Sequence, residues 1–269
     1  MKYGIIAGNG RFPVLALETA RRQGDEAIAF AIKEEAGPEV ERAAARCYWI
    51  SLGDLSKLID HCHREGVTQI MMAGQVKHAK IFSAIRPDWR LAKVLLNLPR
   101  KNTDSLIGAV VKVLADEGIE LVDSTLLLKP LLAAEGVLTK RKPTADELRD
   151  IEYGRRIAHT LASLDLGQSV AIADRACVAL EAMEGTDAML RRAATLVEGK
   201  RLTLVKASSR RGHLLFDVPV IGPATIEVMK ETGTTVAAID AGRTLLLDRD
   251  DLLAKANEAH IAITALALP

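Results

Sequence analysis

Tyr3-Gly4-Ile5-Ile6-Ala7-Gly8-Asn9-Gly10-Arg11-Phe12-Pro13 opens the chain with an apolar run, a glycine-flanked turn and the start of a helical pattern. The run is continuously apolar rather than alternating, as expected of a parallel strand covered on both faces. The same sequence of patterns then recurs. Residues 13–23 read as a helix and 27–32 as a strand; 47–50, 54–64 and 69–73 read as strand, helix and strand. Helical patterns follow at 89–98 and 104–117, with a short strand at 119–122. Gly24 and Gly66 stand where helices should end. The alternation predicts an α/β fold with a Rossmann-like N-terminal domain over 1–133.

Composition shifts at 134–144, where Glu135-Gly-Val-Leu-Thr-Lys-Arg-Lys-Pro143-Thr144 reads as a polar linker. Beyond it, 145–269 reads as a second α/β domain, with a cleft between the two. Thr144 followed three residues later by Glu147 is a capping-box pattern at a helix start. Residues 169–173 and 176–181 read as paired strands around Asp174-Arg175. A helix is expected at 188–197 and a strand at 202–206. Strands at 235–239 and 244–247, a helix at 250–258 and a strand at 261–265 close the chain.

A chain of 269 residues has room for one large domain or two of ordinary size. Hydrophobic content is 49% with only 3% aromatic, so the core is expected to be built from Ala, Leu, Val and Ile. The formal net charge of +1 gives no reason to expect nucleic-acid binding. Basic residues are nevertheless clustered at Lys77, His78 and Lys80; at Arg86, Arg90 and Lys93; at Arg100 and Lys101; and at 140–142. Any one cluster reads as a solvated face, and several converging would suit a phosphorylated ligand. Three cysteines without pairing or metal-ligand spacing point to a reducing compartment. Without a secretory pattern or an apolar run of membrane-span length, a cytoplasmic protein is expected.

Several stretches carry chemistry. Gly8-Asn9-Gly10 follows a strand and opens a helix, where backbone N–H groups favour an anion. The dinucleotide fingerprint needs a third glycine where this chain has Pro13, so generic phosphate or nucleotide contact is the stronger reading, beside a tight turn with no ligand. Lys77 and His78 also follow a strand and suit phosphate. Arg210-Arg211-Gly-His213-Leu-Leu-Phe216-Asp217-Val-Pro219 places a lone carboxylate in an apolar run behind three cationic side chains. Such a carboxylate needs a cation, a metal or a catalytic task, and a salt bridge to Arg210 or Arg211 is the plain alternative. Pro219 favours extended backbone at Val218, which puts Asp217 at a strand end. In Glu181-Ala-Met-Glu184-Gly185-Thr186-Asp187, Glu184 and Asp187 are hard oxygen donors suited to Mg²⁺ or Mn²⁺, and Thr186 suits a phosphate or a helix cap. Lys206 ends a strand and can neutralise phosphate charge. Together these favour a metal-assisted phosphoryl site.

Taken in order, the stretches 6–13, 72–78, 86–90, 123–125, 181–187, 216–219 and 241–248 cover nearly the whole chain. They read Ile6-Ala-Gly-Asn-Gly-Arg-Phe-Pro13, Met72-Ala-Gly-Gln-Val-Lys-His78, Arg86-Pro-Asp-Trp-Arg90, Asp123-Ser-Thr125, Glu181-Ala-Met-Glu-Gly-Thr-Asp187, Phe216-Asp-Val-Pro219 and Ala241-Gly-Arg-Thr-Leu-Leu-Leu-Asp248. The set resembles the UDP-2,3-diacylglucosamine pyrophosphatase family of lipid A biosynthesis in Gram-negative bacteria, the type unrelated to calcineurin-like phosphoesterases. The resemblance implies two domains and Mg²⁺-dependent hydrolysis of UDP-2,3-diacylglucosamine to 2,3-diacylglucosamine 1-phosphate and UMP, by water attack on the α-phosphorus. It maps the family's critical aspartate onto Asp217. On this reading Asp217 and Lys206 are catalytic, and Gly8, Asn9, Gly10, Lys77 and Thr186 bind substrate. Asp217, Glu184 and Asp187 are the metal ligands, with Mn²⁺ as an alternative to Mg²⁺. Transient contact with the cytoplasmic face of the inner membrane is expected because the substrate is a lipid, and a homodimer is left open. An NAD(P)-dependent oxidoreductase and a non-catalytic nucleotide-sugar or lipid-binding protein stay as alternatives.

Overall fold

The computed structural model describes residues 1–76, 86–98, 103–209, 214–215 and 218–268. Asp217 and Lys77 lie outside the described residues, as do His78, Lys80, Arg100, Lys101, Arg210, Arg211 and His213. The chain forms two compact units. The first is Met1–Leu128 with His213–Asp217, and the second is Lys129–Gly212 with Val218–Pro269.

In the first unit, β1 (Lys2–Ala7), β2 (Glu26–Ile32), β3 (Arg46–Ile50), β4 (Gln69–Ala73) and β5 (Glu120–Leu121) alternate with helices. These are α1 (Arg11–Arg22), α2 (Glu39–Ala43), α3 (Leu55–Glu65), α4 (Trp89–Leu96) and α5 (Thr103–Asp116). The strands form one parallel sheet in the order β3-β2-β1-β4-β5. Residues 27–32 are buried in succession, which is why β2 reads as a continuous apolar run. Gly4 is required by packing: a Cβ there would lie 2.8 Å from the Phe30 ring. The order reverses between β1 and β4, and the loops leaving these two strands meet at the carboxyl end of the sheet. Two backbone carbonyls from far along the chain join this unit, with Ser124 donating through its N–H to Leu214 (2.9 Å) and through Oγ to Leu215 (2.6 Å). A division of the chain at residue 133 assigns that segment to the second domain; these bonds hold it to the first.

The second unit contains β6 (Gly136–Val137), α6 (Ala145–Ser163), β7 (Ser169–Ala173), β8 (Ala176–Leu180), α7 (Thr186–Leu196) and β9 (Leu202–Lys206). It continues with β10 (Val220–Ile221), α8 (Pro223–Glu231), β11 (Thr234–Asp240), β12 (Leu245–Leu246), α9 (Arg249–Glu258) and β13 (Ala262–Leu266). Six strands form a mixed sheet in the order β6-β13-β11-β9-β7-β8. Its centre, β9-β11-β13, is parallel and its outer pairings are antiparallel. Strand pleating sends Val236 and Ala238 to one face, against Ile151 and Ala158 of α6. Ala237 and Ile239 face the other way, against Met189, Ile226 and Leu252 of α7, α8 and α9. Gly154 lets α6 approach closely, since a Cβ there would meet Ile172 and Val205 at 2.8 Å. No described helix is long and apolar enough to cross a membrane.

Residues 134–144, which read by composition as a linker, are bound into this second unit. β6 pairs with β13, Ile263 N–H donates to Thr139 Oγ1 (3.0 Å), and Lys140 N–H donates to Asn257 (2.7 Å). Thr144 and Glu147 form the capping box expected from their spacing. The same Glu147 carboxylate receives both arms of Arg141 (2.9 and 2.8 Å) and the Thr235 hydroxyl (2.6 Å). Polarity misleads here because the polar side chains are spent on internal partners. Burial alone would raise the Glu147 carboxyl, but Arg141, Thr235 and the Thr144 N–H outweigh it and bring the pKa down to about 2. A depressed carboxyl contributes stability that is present above its unfolded value and is lost as pH falls through its folded value. Glu147→Ala is therefore expected to cost about 3–5 kcal/mol at neutral pH and to flatten the acid limb of stability between about pH 5 and pH 2. Urea unfolding across that range measures both; an unchanged midpoint and slope would remove Glu147 from the account.

Candidate functional site

At the carboxyl end of the first sheet, the loops after β1 and β4 are stitched together. Gly8 N–H donates to Ala73 O (2.8 Å), Asn9 N–H to Gln75 O (2.8 Å), and Gln75 N–H to Asn9 O (3.0 Å). A Cβ on Gly8 would sit 2.6 Å from Gln75 O, and one on Gly74 (φ +88°) 2.6 Å from Asn9 O. These two glycines serve the contact between the loops. Gly8 is buried behind it, while Asn9 and Gly10 are exposed. Gly10 (φ +96°) has open space where a side chain would be, and it begins α1 with no side-chain cap. Asp123, beyond β5, is folded back on its own turn, accepting from Thr125 N–H (2.7 Å) and Oγ1 (2.6 Å). Asp88 caps α4 through Leu91 N–H (2.9 Å).

In the second unit, β9 ends at Lys206 and β11 at Asp240. Register pairs Lys206 with Ile239, so the pleat turns Lys206 towards α7 and the next β11 residue, Asp240, towards α6. Lys206 is buried and donates to Thr186 Oγ1 (2.9 Å), the first residue of α7. Thr186 donates in turn to Glu181 Oε1 (2.9 Å), and Ser169 Oγ stands 3.0 Å from the same hydroxyl. Three neighbours therefore surround the Thr186 hydroxyl, which holds Lys206 in place. Glu181 is buried, and its other oxygen accepts from Gln168 N–H (3.2 Å).

The two acids put forward as metal ligands behave differently. Glu184 is bound by Arg192 (2.7 Å) and by Ala182 N–H (3.0 Å), and Arg192 holds its carboxyl below the usual range. Asp187 lies in the first turn of α7, where desolvation raises its carboxyl pKa against the opposing pull of Arg191 and Lys206. Among the described residues, no group of three or more His, Cys, Asp or Glu is placed to hold a metal ion.

On the α6 face the structure assembles a group that sequence reading missed. Asp240 is 2% exposed. Its Oδ2 accepts from Ser208 N–H (2.7 Å) and Ser208 Oγ (3.1 Å), and its Oδ1 lies 3.3 Å from His159 Nε2 and 4.0 Å from Arg155. Arg243 donates to Ser208 Oγ (3.0 Å) and to Ser209 O (3.1 Å). Burial would raise the Asp240 carboxyl, but His159 and Ser208 outweigh it and hold it low. The stretch that leaves β9 is thus anchored at Ser208 and Ser209. Arg243 stands in one of the stretches singled out by sequence, whereas His159 is an unremarked helix residue until α6 packs on the sheet. Asp240→Ala is expected to cost about 3–5 kcal/mol, because it leaves buried donors without their acceptor. It should also speed amide hydrogen exchange at Ser208; an unchanged rate there would show that the anchor lies elsewhere.

Comparison with known proteins matches residues 2–131 to the LpxI N-terminal domain and residues 134–264 to the LpxI C-terminal domain. The UDP-2,3-diacylglucosamine pyrophosphatase LpxI of Caulobacter vibrioides is 32% identical over 272 residues, covering 97% of this chain and 96% of that protein. Solved structures with partial likeness include the biotin carboxylase domain of a Hydrogenobacter thermophilus 2-oxoglutarate carboxylase. It has 11% identity and a TM-score of 0.28, with 65% of this chain and 35% of that chain covered. A Rhizobium etli pyruvate carboxylase gives 12% identity and a TM-score of 0.30, with 64% and 14% covered. Likeness at that level carries no argument about function.

Proposed function

Since this chain belongs to the LpxI family, we propose that it hydrolyses the diphosphate of UDP-2,3-diacylglucosamine to 2,3-diacylglucosamine 1-phosphate and UMP, within lipid A synthesis. The observation that carries this reading is the match along both halves of the chain to a pyrophosphatase of nearly equal length. Neither the oxidoreductase nor the non-catalytic reading gains anything from it.

In this proposal water attacks the α-phosphorus, its oxygen entering UMP while the bridging oxygen leaves with the lipid phosphate. A diphosphate repels a nucleophile, so the site must neutralise charge as well as orient water. Lys206 is the described cation best suited to that task. It ends a central strand, where parallel sheets commonly meet their ligands, and Thr186 and Glu181 fix its position. Thr186 begins α7 with no side-chain cap before it, so the helix start adds N–H donors beside the ammonium group. Asn9 and Gly10 are proposed for the nucleotide end and Lys77 for the diphosphate.

Asp217 is kept as the centre of catalysis, as base or metal ligand, on the strength of Phe216-Asp217-Val218-Pro219. Mg²⁺, with Mn²⁺ as a substitute, is the proposed cofactor and would supply charge neutralisation at the diphosphate. The described acids do not fit it as a set: Glu184 is occupied by Arg192, and Asp187 stands within the influence of Lys206 and Arg191. No step is therefore assigned to a metal.

UMP release from UDP-2,3-diacylglucosamine, with and without Mg²⁺, tests the reading. Wild type should need the metal, Asp217→Ala should be inactive, and label from ¹⁸O water should appear in UMP. Lys206→Met is expected to lower kcat/KM by about 10²–10³-fold. Thr186→Val should have a smaller effect, through a misplaced Lys206. Full activity of Asp217→Ala, or label in the lipid product, would discard the proposed chemistry.

A further inference from the structure

The first unit carries an apolar, basic surface that neither its fold nor the proposed chemistry uses. α4 buries Leu91 and partly buries Val94 and Leu95 in the core it shares with α3 and α5. The helical repeat turns Trp89, Lys93 and Leu96 together onto the opposite side. Trp89 is 67% exposed and Leu96 is 87% exposed. Lys93 is exposed between them, and Arg86 is exposed just before the helix. The Arg90 guanidinium lies 4.9 Å from the centre of the Trp89 ring and is itself paired with Glu117, so the ring is braced outward rather than folded onto the core.

In the neighbouring α5, Val110, Val111 and Val113 pack against the same core, and Lys112 is exposed. Over residues 86–117 the sequence has six basic residues (Arg86, Arg90, Lys93, Arg100, Lys101, Lys112) against four acids (Asp88, Asp104, Asp116, Glu117), and Glu117 is paired with Arg90. Asp88, just before Trp89, is committed to capping α4. Large apolar side chains at the water boundary, an indole among them, with the exposed cations Arg86 and Lys93 alongside, match the headgroup region of a bilayer containing anionic lipid.

We propose that Trp89, Lys93 and Leu96 form a membrane-docking face that holds the enzyme on an anionic bilayer. The proposal rests on the lipid-substrate reading above, since a two-tailed substrate resides in such a surface. Docking draws on two contributions, burial of Trp89 and Leu96 among the headgroups and attraction of Lys93 and Arg86 to lipid phosphates.

Vesicle flotation of the full chain tests this, using phosphatidylcholine alone and phosphatidylcholine with about one-third phosphatidylglycerol. Wild type should float with the anionic vesicles and far less with the neutral ones. Trp89→Ser/Leu96→Ser should lower partitioning by about tenfold or more. Lys93→Glu should lower it severalfold at low salt, with the difference narrowing at high salt. Matching thermal melts and unchanged turnover of detergent-dispersed substrate would show that the variants are folded and that only docking was touched. Equal flotation of wild type and double variant would overturn the proposal, as would no flotation of wild type. A wild-type dimer dissolved by the double substitution, without vesicle binding, would assign the face to a second copy instead. Because flotation needs no substrate, its failure is separate from a failure of the proposed hydrolysis.

Discussion

A parallel strand offers apolar side chains to both of its faces, and both must be covered by helices. That requirement organises each unit of this protein. It explains the successive burial along β2 and the two cores on either side of β11. It also leaves few places where charge can enter. Polar chemistry is pushed to the strand ends, where loops bring backbone N–H groups and water within reach.

At those ends, buried charge survives only with several partners. Glu147 collects Arg141, Thr144 and Thr235; Asp150 collects Arg175 N–H, Thr203 and Arg201; Asp240 collects Ser208 and His159. Glu65 is held by Arg46 and Tyr48 at the far end of the first sheet. Removing one member of such a set leaves the rest desolvated and unpaired, so these groups act as supports. The criterion separates roles among the candidates. Glu184 and the Thr186 hydroxyl are already engaged, while Gly10 opens α1 onto empty space and Lys206 stands held at the end of a central strand.

The pleat decides how Lys206 and Asp240 share one end of the second sheet. One register step turns them to opposite faces, so the ammonium group meets the start of α7 and the carboxylate meets α6. The ammonium group and the Asp240 carboxylate are therefore held by separate sets of partners. Asp240 instead fixes Ser208, the second residue beyond Lys206, and through it the beginning of the stretch that leads to Asp217.

Local pattern was enough for much of this protein. Continuous apolar runs identified several strands of the first sheet, Thr144 and Glu147 announced their capping box, and Asp174-Arg175 marked the turn between β7 and β8. Each of these signals spans a few residues and needs no distant partner. Pro223 at the start of α8 is an equally local signal. Other features had no local signal. Residues 134–144 look like a linker until Asn257, His260 and Ile263 supply partners more than a hundred residues away. Nothing near Gly8 in the sequence announces its close approach to the Gln75 carbonyl. His159 and Asp240 become neighbours only when α6 lies across the sheet. Sequence by itself determined which elements form and which residue types are available, because hydrogen-bonding periodicity and side-chain alternation act over short distances. Tertiary structure alone decided which polar groups are spent on one another and which are left for chemistry, because a buried charge is satisfied by whatever packing brings beside it.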